Sequence, residues 1–494
     1  MKPASKETLD MLYINMGDTI KELFPMLIEA IGLIDQIDNY DQSSAIEEKQ
    51  VADFRSILEL QTCVLYSIIE ICTNLRGDLR STNNVEKRAN LRYTVIVTSK
   101  LFKAAFSDKE KNNLWSRVVN TLNSGMAAEE RKQYSSIEKA IREYNERYFV
   151  HDKDNRNLSV HYDYDPIVYY KYFCDLQEEK ESVRICALLA ILQPLNALLG
   201  TRIEVYKLLL PFLKTHVDTR LWEINNIFQD KSNVIYNKSG DTLIKFGNSI
   251  DRIMKSYQLP ENNHEALSYL ISEEEINRLK DARKYGNIGA ILHFVYIDLC
   301  AAIRGYFSSD YYMEKQLHLI KINLLTYEGF KKIFRANPKV IENSYWKEHI
   351  YDVLNNSQDI ELKKKLETTH FYLDEMDKDK NFLDDNLRNQ YIHMNFDGDS
   401  QSVFIKVLLL RLNSNVELNN ALKFIRILNN VIQLNGEALK LKSKLDTMET
   451  IDKFLSPIND IRDKIKSSKM SEEQKEQLFS TLDGVSNKIS EIFE

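Results

Sequence analysis

An internal duplication constrains this chain more than any other feature. Shifted by 228 residues, Ile69-Glu70-Ile71-Cys72-Thr73-Asn74-Leu75-Arg76-Gly77 lies on Ile297-Asp298-Leu299-Cys300-Ala301-Ala302-Ile303-Arg304-Gly305. Without a gap, Glu86-Lys87 then meets Glu314-Lys315, Phe102-Lys103 meets Phe330-Lys331, and Phe106 meets Phe334. An insertion of three residues carries Leu114-Trp115 onto Tyr345-Trp346. One more carries Arg156-Asn157 and His161 onto Arg388-Asn389 and His393. Two divergent copies, near 8–215 and 231–436, are the simplest account, and a repeat must be recognised before the rest is read. The expected domains are therefore 1–228, 229–436 and a non-repeated tail over 437–494.

Each copy is expected to be helical. Among 494 residues there are only 14 Gly and 8 Pro, with abundant Leu, Ile, Lys and Glu, so breakers are scarce and helix formers plentiful. The stretch from Glu22 to Ile37 places Leu23, Met26, Leu27, Ala30, Ile31 and Ile34 at helical spacing, interrupted only by Pro25. Val51 to Leu75 reads as an amphipathic helix, with a counterpart through Ile291, Phe294, Val295 and Leu299. Gly77 and Gly305 fall where a left-handed cap would end those helices. Asp41 to Lys49 and Asp374 to Lys380 read as polar loops. The fold class is all-α: two duplicated helical bundles followed by an amphipathic helical tail. In that tail Ser456-Pro457 reads as a helix start and Ser471 with Gln474 as a capping box. Its seam of Ile451, Phe454, Ile458, Ile461 and Ile465, then Leu478, Leu482, Val485, Ile489 and Ile492, wants a helical partner. That partner is either the chain's own second copy, the favoured reading, or a second chain.

Charge and cysteines narrow the setting. A net charge of −7 argues against indiscriminate coating of nucleic acid, which needs a strongly phosphate-neutralising surface, but leaves room for a small basic cleft. Cys63, Cys72, Cys174, Cys186 and Cys300 are odd in number and scattered, which points to a reduced, cytoplasmic interior with Cys72 and Cys300 in equivalent core positions. The first residues have no apolar signal region. The most apolar stretch, Ile185 to Gly200, is too short to span a bilayer. A soluble protein without membrane contact is expected.

The motif that carries chemistry is a hexapeptide present once per copy: Arg156-Asn157-Leu158-Ser159-Val160-His161 and Arg388-Asn389-Gln390-Tyr391-Ile392-His393. With nine His and 22 Arg, about 0.4 chance Arg-x4-His matches are expected in a chain of this length, so one match carries no weight. Two, each with Asn after Arg and at equivalent points of a repeat, do. On a helix, Asn157 and His161 are four apart and share a face, so the amide can fix the imidazole tautomer. Asp165-Pro166 reads as an N-cap and first helical residue, with Asp399 or Ser400 in the capping part of the second copy. The histidines thus precede a helix start, whose free N–H groups favour an anion. Guanidinium, imidazole and helix N-terminus together suit a phosphodiester.

Those two Arg-Asn-x3-His motifs in an all-helical, duplicated chain resemble the HEPN superfamily, a likeness that covers about two thirds of the chain. The resemblance implies a composite, metal-independent endoribonuclease site without cofactor, formed where two units face each other. Carried over, Arg156 and Arg388 hold the scissile phosphate, His161 and His393 act as acid and base, and Asn157 and Asn389 orient them. A supporting acid on an earlier helix would be Glu70 or Asp298. RNA brings its own nucleophile, so the 2′-hydroxyl attacks and leaves a 2′,3′-cyclic phosphate and a 5′-hydroxyl. For that, the two histidines must flank one phosphate, within about 10 Å. The resemblance further implies a toxin or abortive-infection effector of antiviral defence. Its partners would be single-stranded RNA or tRNA as substrate, a protein regulator or antitoxin, and a second copy through the C-terminal helices. A tyrosine two residues beyond the histidine, the modification site in some HEPN toxins, is replaced by Asp163 and Asn395, which puts that regulation in question. The alternative is a non-catalytic helical scaffold for RNA or protein. Asp163/Asp165 and Asp397/Asp399 read as solvated acids rather than a metal site, and Tyr169, Tyr170, Tyr172 and Phe173 as core more readily than as a stacking platform for bases.

Overall fold

The computed structural model of the chain describes residues 6–39, 45–106, 113–123, 126–149, 166–176, 178–210, 229–261, 273–334, 344–379 and 412–467, with 471–473, 475–476, 478–480 and 482–483 of the tail. Among these residues there are helices and the turns between them and no strand. In chain order the helices are α1 (Lys6–Asp38), α2 (Ala45–Arg80), α3 (Asn84–Phe106), α4 (Leu114–Asn123) and α5 (Ala128–Tyr144), the last running into a π-helical turn, Asn145–Phe149. Then come α6 (Pro166–Asp175), α7 (Glu178–Leu209), α8 (Gln229–Glu261), α9 (Glu273–Ser308) and α10 (Tyr312–Phe334). A π-helical stretch, Trp346–Tyr351, leads through Asp352–Asn355 to α11 (Ile360–Lys378) and the long α12 (Ser414–Lys466).

Two compact units emerge. The first comprises Met1–Ser256, Ala290–Lys332 and Glu375–Leu428; the second comprises Tyr257–Gly289, Ile333–Asp374 and Asn429–Glu494. At the centre of the first unit lies α2, which packs on α1, α3, α4 and α7. Its apolar stripe, Phe54, Ile57, Leu58, Val64, Leu65, Ile68 and Ile69, is buried as the periodicity requires. The opposite face is not solvated. Glu59, Gln61, Thr62, Ser67, Glu70, Thr73, Asn74 and Arg76 are buried as well, so from Ile57 onward this helix is covered all round.

Reciprocal contacts between residues aligned by the 228-residue shift line the first unit. Arg76 on α2 donates from Nε to Glu314 Oε1 on α10 at 2.6 Å, and Arg304 on α9 donates from Nε to Glu86 Oε1 on α3 at 2.7 Å. Each glutamate uses its other oxygen at its own helix start. Glu314 Oε2 accepts from the backbone N–H groups of Asp310 and Tyr311, and Glu86 Oε2 from that of Thr82, while Asn83 Oδ1 accepts from Glu86 N. Thus a capping-box glutamate satisfies orphan donors with one oxygen and a guanidinium 238 or 218 residues away along the chain with the second. The outer face of each arginine repeats too: Arg76 Nη1 donates to Tyr13 O and Arg304 Nη1 to Tyr236 O, both at 2.7 Å. The rings of Tyr13 and Tyr236 lie 3.9 and 3.8 Å from the two guanidinium carbons.

Several helix ends differ from expectation. Gly77 and Gly305 are not caps, since α2 continues to Arg80 and α9 to Ser308. They are small because α3 and α10 pass close by: a Cβ at Gly77 would lie 3.1 Å from Asn90 Oδ1, and one at Gly305 would lie 2.2 Å from the His318 ring. Asn90 and His318 are themselves aligned by the 228-residue shift. α12 runs through Ser456-Pro457 without a new start there, just as α1 runs through Pro25. α2 already begins at Ala45 and α11 reaches Lys378, because charged residues at helical spacing extend a helix as readily as they make a loop. α6 does start at Pro166. Ile185 to Gly200 belongs to a 32-residue helix, α7. Among the described residues, three helices are long and apolar enough to cross a membrane: Glu48–Arg80, Glu179–Leu209 and Tyr285–Ser308, with 94%, 44% and 83% of the apolar window buried in the fold. Cys72 and Cys300 are both buried.

In the second unit the packing centres on buried Trp346, whose Nε1 donates to His370 Nδ1 at 3.1 Å. Tyr345 OH donates to Asn435 Oδ1 at 2.6 Å, and Asn435 Nδ2 to Tyr285 O at 3.0 Å, tying three segments together. In the tail, Lys475 N donates to Ser471 O, and Arg462 on α12 pairs with Asp483.

Candidate functional site

The six motif residues, Arg156, Asn157, His161, Arg388, Asn389 and His393, lie outside the described residues, as do Asp163, Asp165, Asp397 and Asp399. What the structure does place is the scaffold at both ends of the first motif segment and after the second. Ahead of the first, Phe149 packs on Phe102 of α3 with ring centroids 4.8 Å apart. Behind it, α6 docks through Tyr169 and Phe173 on Phe294 of α9, at 4.4 and 5.6 Å. Tyr170 OH donates to Asp251 of α8 at 2.7 Å. Tyr169 and Phe173 are therefore core side chains. Behind the second motif, Leu412 packs on the first unit's core. Asn323 of α10 donates from Nδ2 to Glu417 of α12 at 2.8 Å, and Phe424 faces Phe330.

The helices that receive these anchors, α3, α9 and α10, share with α2 a buried polar seam. Both acids matched by the repeat lie in it. Asp298 on α9 accepts from Arg92 Nη2 on α3, with the two side chains 0% and 1% exposed. The Arg92 guanidinium is also 5.2 Å from the centre of the Tyr169 ring and 5.2 Å from that of Tyr93. Glu70 on α2 has different company. Its charge acts on Lys100 of α3 and Lys321 of α10, and Lys321 Nζ donates to Asn74 Oδ1 and sits 5.1 Å from the Tyr93 ring centre. Burial strips these lysines of water and pulls both ammonium groups down to about 8, partly opposed by Glu70. Burial likewise pushes the hydroxyls of Tyr66 and Tyr93 well above their usual range, helped by Glu70 and Asp298 respectively.

The pairing of Glu70 and Asp298 by the repeat thus ends in two unlike surroundings. At the position equivalent to Arg92 stands Ile320, and at the position equivalent to Tyr93 stands Lys321. The chemistry within reach is electrostatic: Arg92, Lys100 and Lys321 are set among Glu70, Asp298 and the half-buried Glu328 in surroundings that exclude solvent. Such a seam can hold helices in fixed register and set the potential felt by groups beside it. Sequence reasoning did not single out Arg76, Arg92, Lys100, Arg304 or Lys321. For Arg76 and Arg304 a signal was present, as identical cations at matched places on an apolar helix. Arg92 and Lys321 have no counterpart and gave none.

In comparisons with protein-family models, with curated proteins and with solved structures, nothing matches this chain.

Proposed function

We propose that the chain is a tandem HEPN-like endoribonuclease, in which Arg156, Asn157 and His161 of one copy meet Arg388, Asn389 and His393 of the other over one RNA phosphate. The observation that carries this reading is the common anchorage of the two motif segments. The first is bracketed by Phe149 on α3 and Tyr169 on α9, and the second is followed by Leu412 on the first unit's core and Glu417 on Asn323 of α10. Loops that carry function are commonly set on such a rigid scaffold, which supports the reading. The reciprocal Arg76–Glu314 and Arg304–Glu86 pairs support the duplication that the reading requires, because an isologous contact between equivalent units exchanges partners in this way.

In that site one histidine takes the 2′-hydroxyl proton and the other protonates the departing 5′-oxygen. The arginines neutralise charge on the crowded phosphorane. No metal or cofactor enters the proposal. Asp298 and Glu70 act from behind, through the seam. The same reading has the chain working in the cytoplasm on single-stranded RNA or tRNA, under a protein regulator, as an effector of antiviral defence. Burial of most of the apolar windows of α2 and α9 supports a soluble chain, and the exposed Ile461 and Leu478 in the C-terminal helices leave apolar surface for a second copy.

The test is cleavage of a panel of single-stranded RNAs and tRNAs in EDTA by the full chain and by His161→Ala, His393→Ala and the double variant. Cutting to cyclic-phosphate ends that either single substitution abolishes is the expected result. No cutting, or cutting indifferent to both histidines, overturns the proposal in favour of a non-catalytic scaffold.

A further inference from the structure

The buried pair Arg92–Asp298 differs from every other inter-copy ion pair described above. Arg76–Glu314 recurs as Arg304–Glu86, as expected of contacts that simply join two equivalent bundles. Arg92–Asp298 occurs once, since the position aligned with Arg92 by the 228-residue shift is Ile320. What Arg92 touches explains the difference. On α9, Phe294 and Asp298 are four residues apart and so share a face. Phe294 receives Tyr169 and Phe173 of α6, Asp298 receives Arg92, and the Arg92 guanidinium closes the triangle against Tyr169. Tyr170 ties the same helix to Asp251 of α8. Although α6 belongs to the first copy by sequence, it docks on helices of the second. Arg92, on α3 of the first copy, meets both.

We propose that Arg92 is a positioning residue for the first Arg-Asn-x3-His segment, holding α6, which begins five residues after His161, against Phe294 and Asp298 of the second copy. The effect on cleavage rests on the nuclease reading above; the docking of α6 does not. A guanidinium suits this task because its planar fork can hold a carboxylate while its face lies over an aromatic ring, which an ammonium on a flexible stem does poorly.

The experiment compares the full-length wild type with Arg92→Met, Arg92→Lys and, as a matched control, Arg76→Met, which breaks a buried inter-copy pair without touching α6. Hydrogen exchange of the α6 amides is read by mass spectrometry, and RNA cleavage in EDTA is read as kcat and KM. Arg92→Met is expected to speed α6 exchange about tenfold or more and to lower kcat by about 10- to 100-fold with KM within about twofold, as misplacement of a catalytic group does. Arg92→Lys should recover part of both, and Arg76→Met, under native conditions where α6 exchanges by local opening rather than global unfolding, should leave both within about twofold of wild type. The proposal is overturned if Arg92→Met leaves α6 exchange unchanged, or if Arg76→Met speeds it equally. It is also overturned if kcat holds while α6 loosens. A wild type that cleaves nothing removes the nuclease reading, and α6 exchange then decides the docking role by itself. Should Arg92→Met fail to fold, Tyr169→Ala removes the docked ring without orphaning a buried charge and gives the same readouts.

Discussion

If the reciprocal arginine–glutamate exchange joins the two copies, energetic coupling must follow the crossed pairs and not the pairs within a copy. The side chains of Arg76 and Glu314 are 2% and 1% exposed, those of Arg304 and Glu86 3% and 6%, so water compensates little of what a substitution removes. Arg76→Met deletes the charged bond to Glu314 and those to Tyr13 and Asp310, leaving a buried carboxylate without its cation. That costs about 3–5 kcal/mol. Glu314→Gln keeps shape and acceptor and should cost less, about 2–3 kcal/mol. The double variant should fall short of the sum by about 2 kcal/mol. Arg76→Met with Glu86→Gln, which share no partner, should add within about 0.5 kcal/mol. The mirror set with Arg304 should repeat the pattern. Urea unfolding followed by far-ultraviolet circular dichroism supplies the free energies through the midpoint and slope. Coupling of Arg76 to Glu86 as large as its coupling to Glu314 would refute the crossed arrangement, as would a single-variant cost below about 1 kcal/mol.

Two further outcomes follow from packing and charge. Lys100 and Lys321 are held to about 8 in the fold against about 10.4 unfolded, so between those values the unfolded chain binds more protons and stability rises with pH. Below about 8 both states are protonated and the full cost of burying the charge is present. The stability of Lys100→Met relative to wild type should therefore fall by about 2 kcal/mol between pH 7.5 and 9.5, as the wild type alone gains over that range; a pH-independent difference would remove the buried-ammonium account. Among the glycines, Gly305→Ala drives a methyl to within 2.2 Å of the His318 ring and should cost about 1–3 kcal/mol. Gly436→Ala meets nothing within 4 Å in α12 and should stabilise by about 0.5–1 kcal/mol. Thermal midpoints moving in the same direction for both would contradict the close approach of α10.

Much of the helical architecture was legible because a 3.6-residue period survives in any sequence whose helices bury one face. Phe54, Ile57, Leu58, Val64, Leu65 and Ile68 announce α2 unaided. The nature of its other face was not legible. Glu70, Asn74 and Arg76 look like a solvated stripe when read locally, since periodicity shows that two faces differ without showing what the polar one meets. Their partners lie far along the chain: Arg92 is 206 residues from Asp298, and Arg76 is 238 from Glu314. Alignment of the copies was the only sequence route to those pairs, and it reached Arg76, Arg304, Glu86 and Glu314 as matched identities without indicating that they cross. It paired Glu70 with Asp298 but not with Lys321 or Arg92, because nothing in the other copy stands where those cations do. The helix ends misread at Gly77, Gly305 and Ser456-Pro457 share one cause. A glycine or proline has the same letter whether it ends a helix or yields room to a neighbour.

The two oxygens of Glu86, one on its own helix start and one on Arg304, bear on how the chain is born. A ribosome adding about 5–20 residues per second takes roughly 10–40 s to travel from Glu86 to Arg304, and throughout that interval the nascent first copy carries both an arginine and a glutamate whose mates do not yet exist. Its central helix can coil, but it cannot be sealed. The emerging chain stays incomplete until the second copy arrives, so a half-made molecule has neither a closed seam nor the second Arg-Asn-x3-His motif.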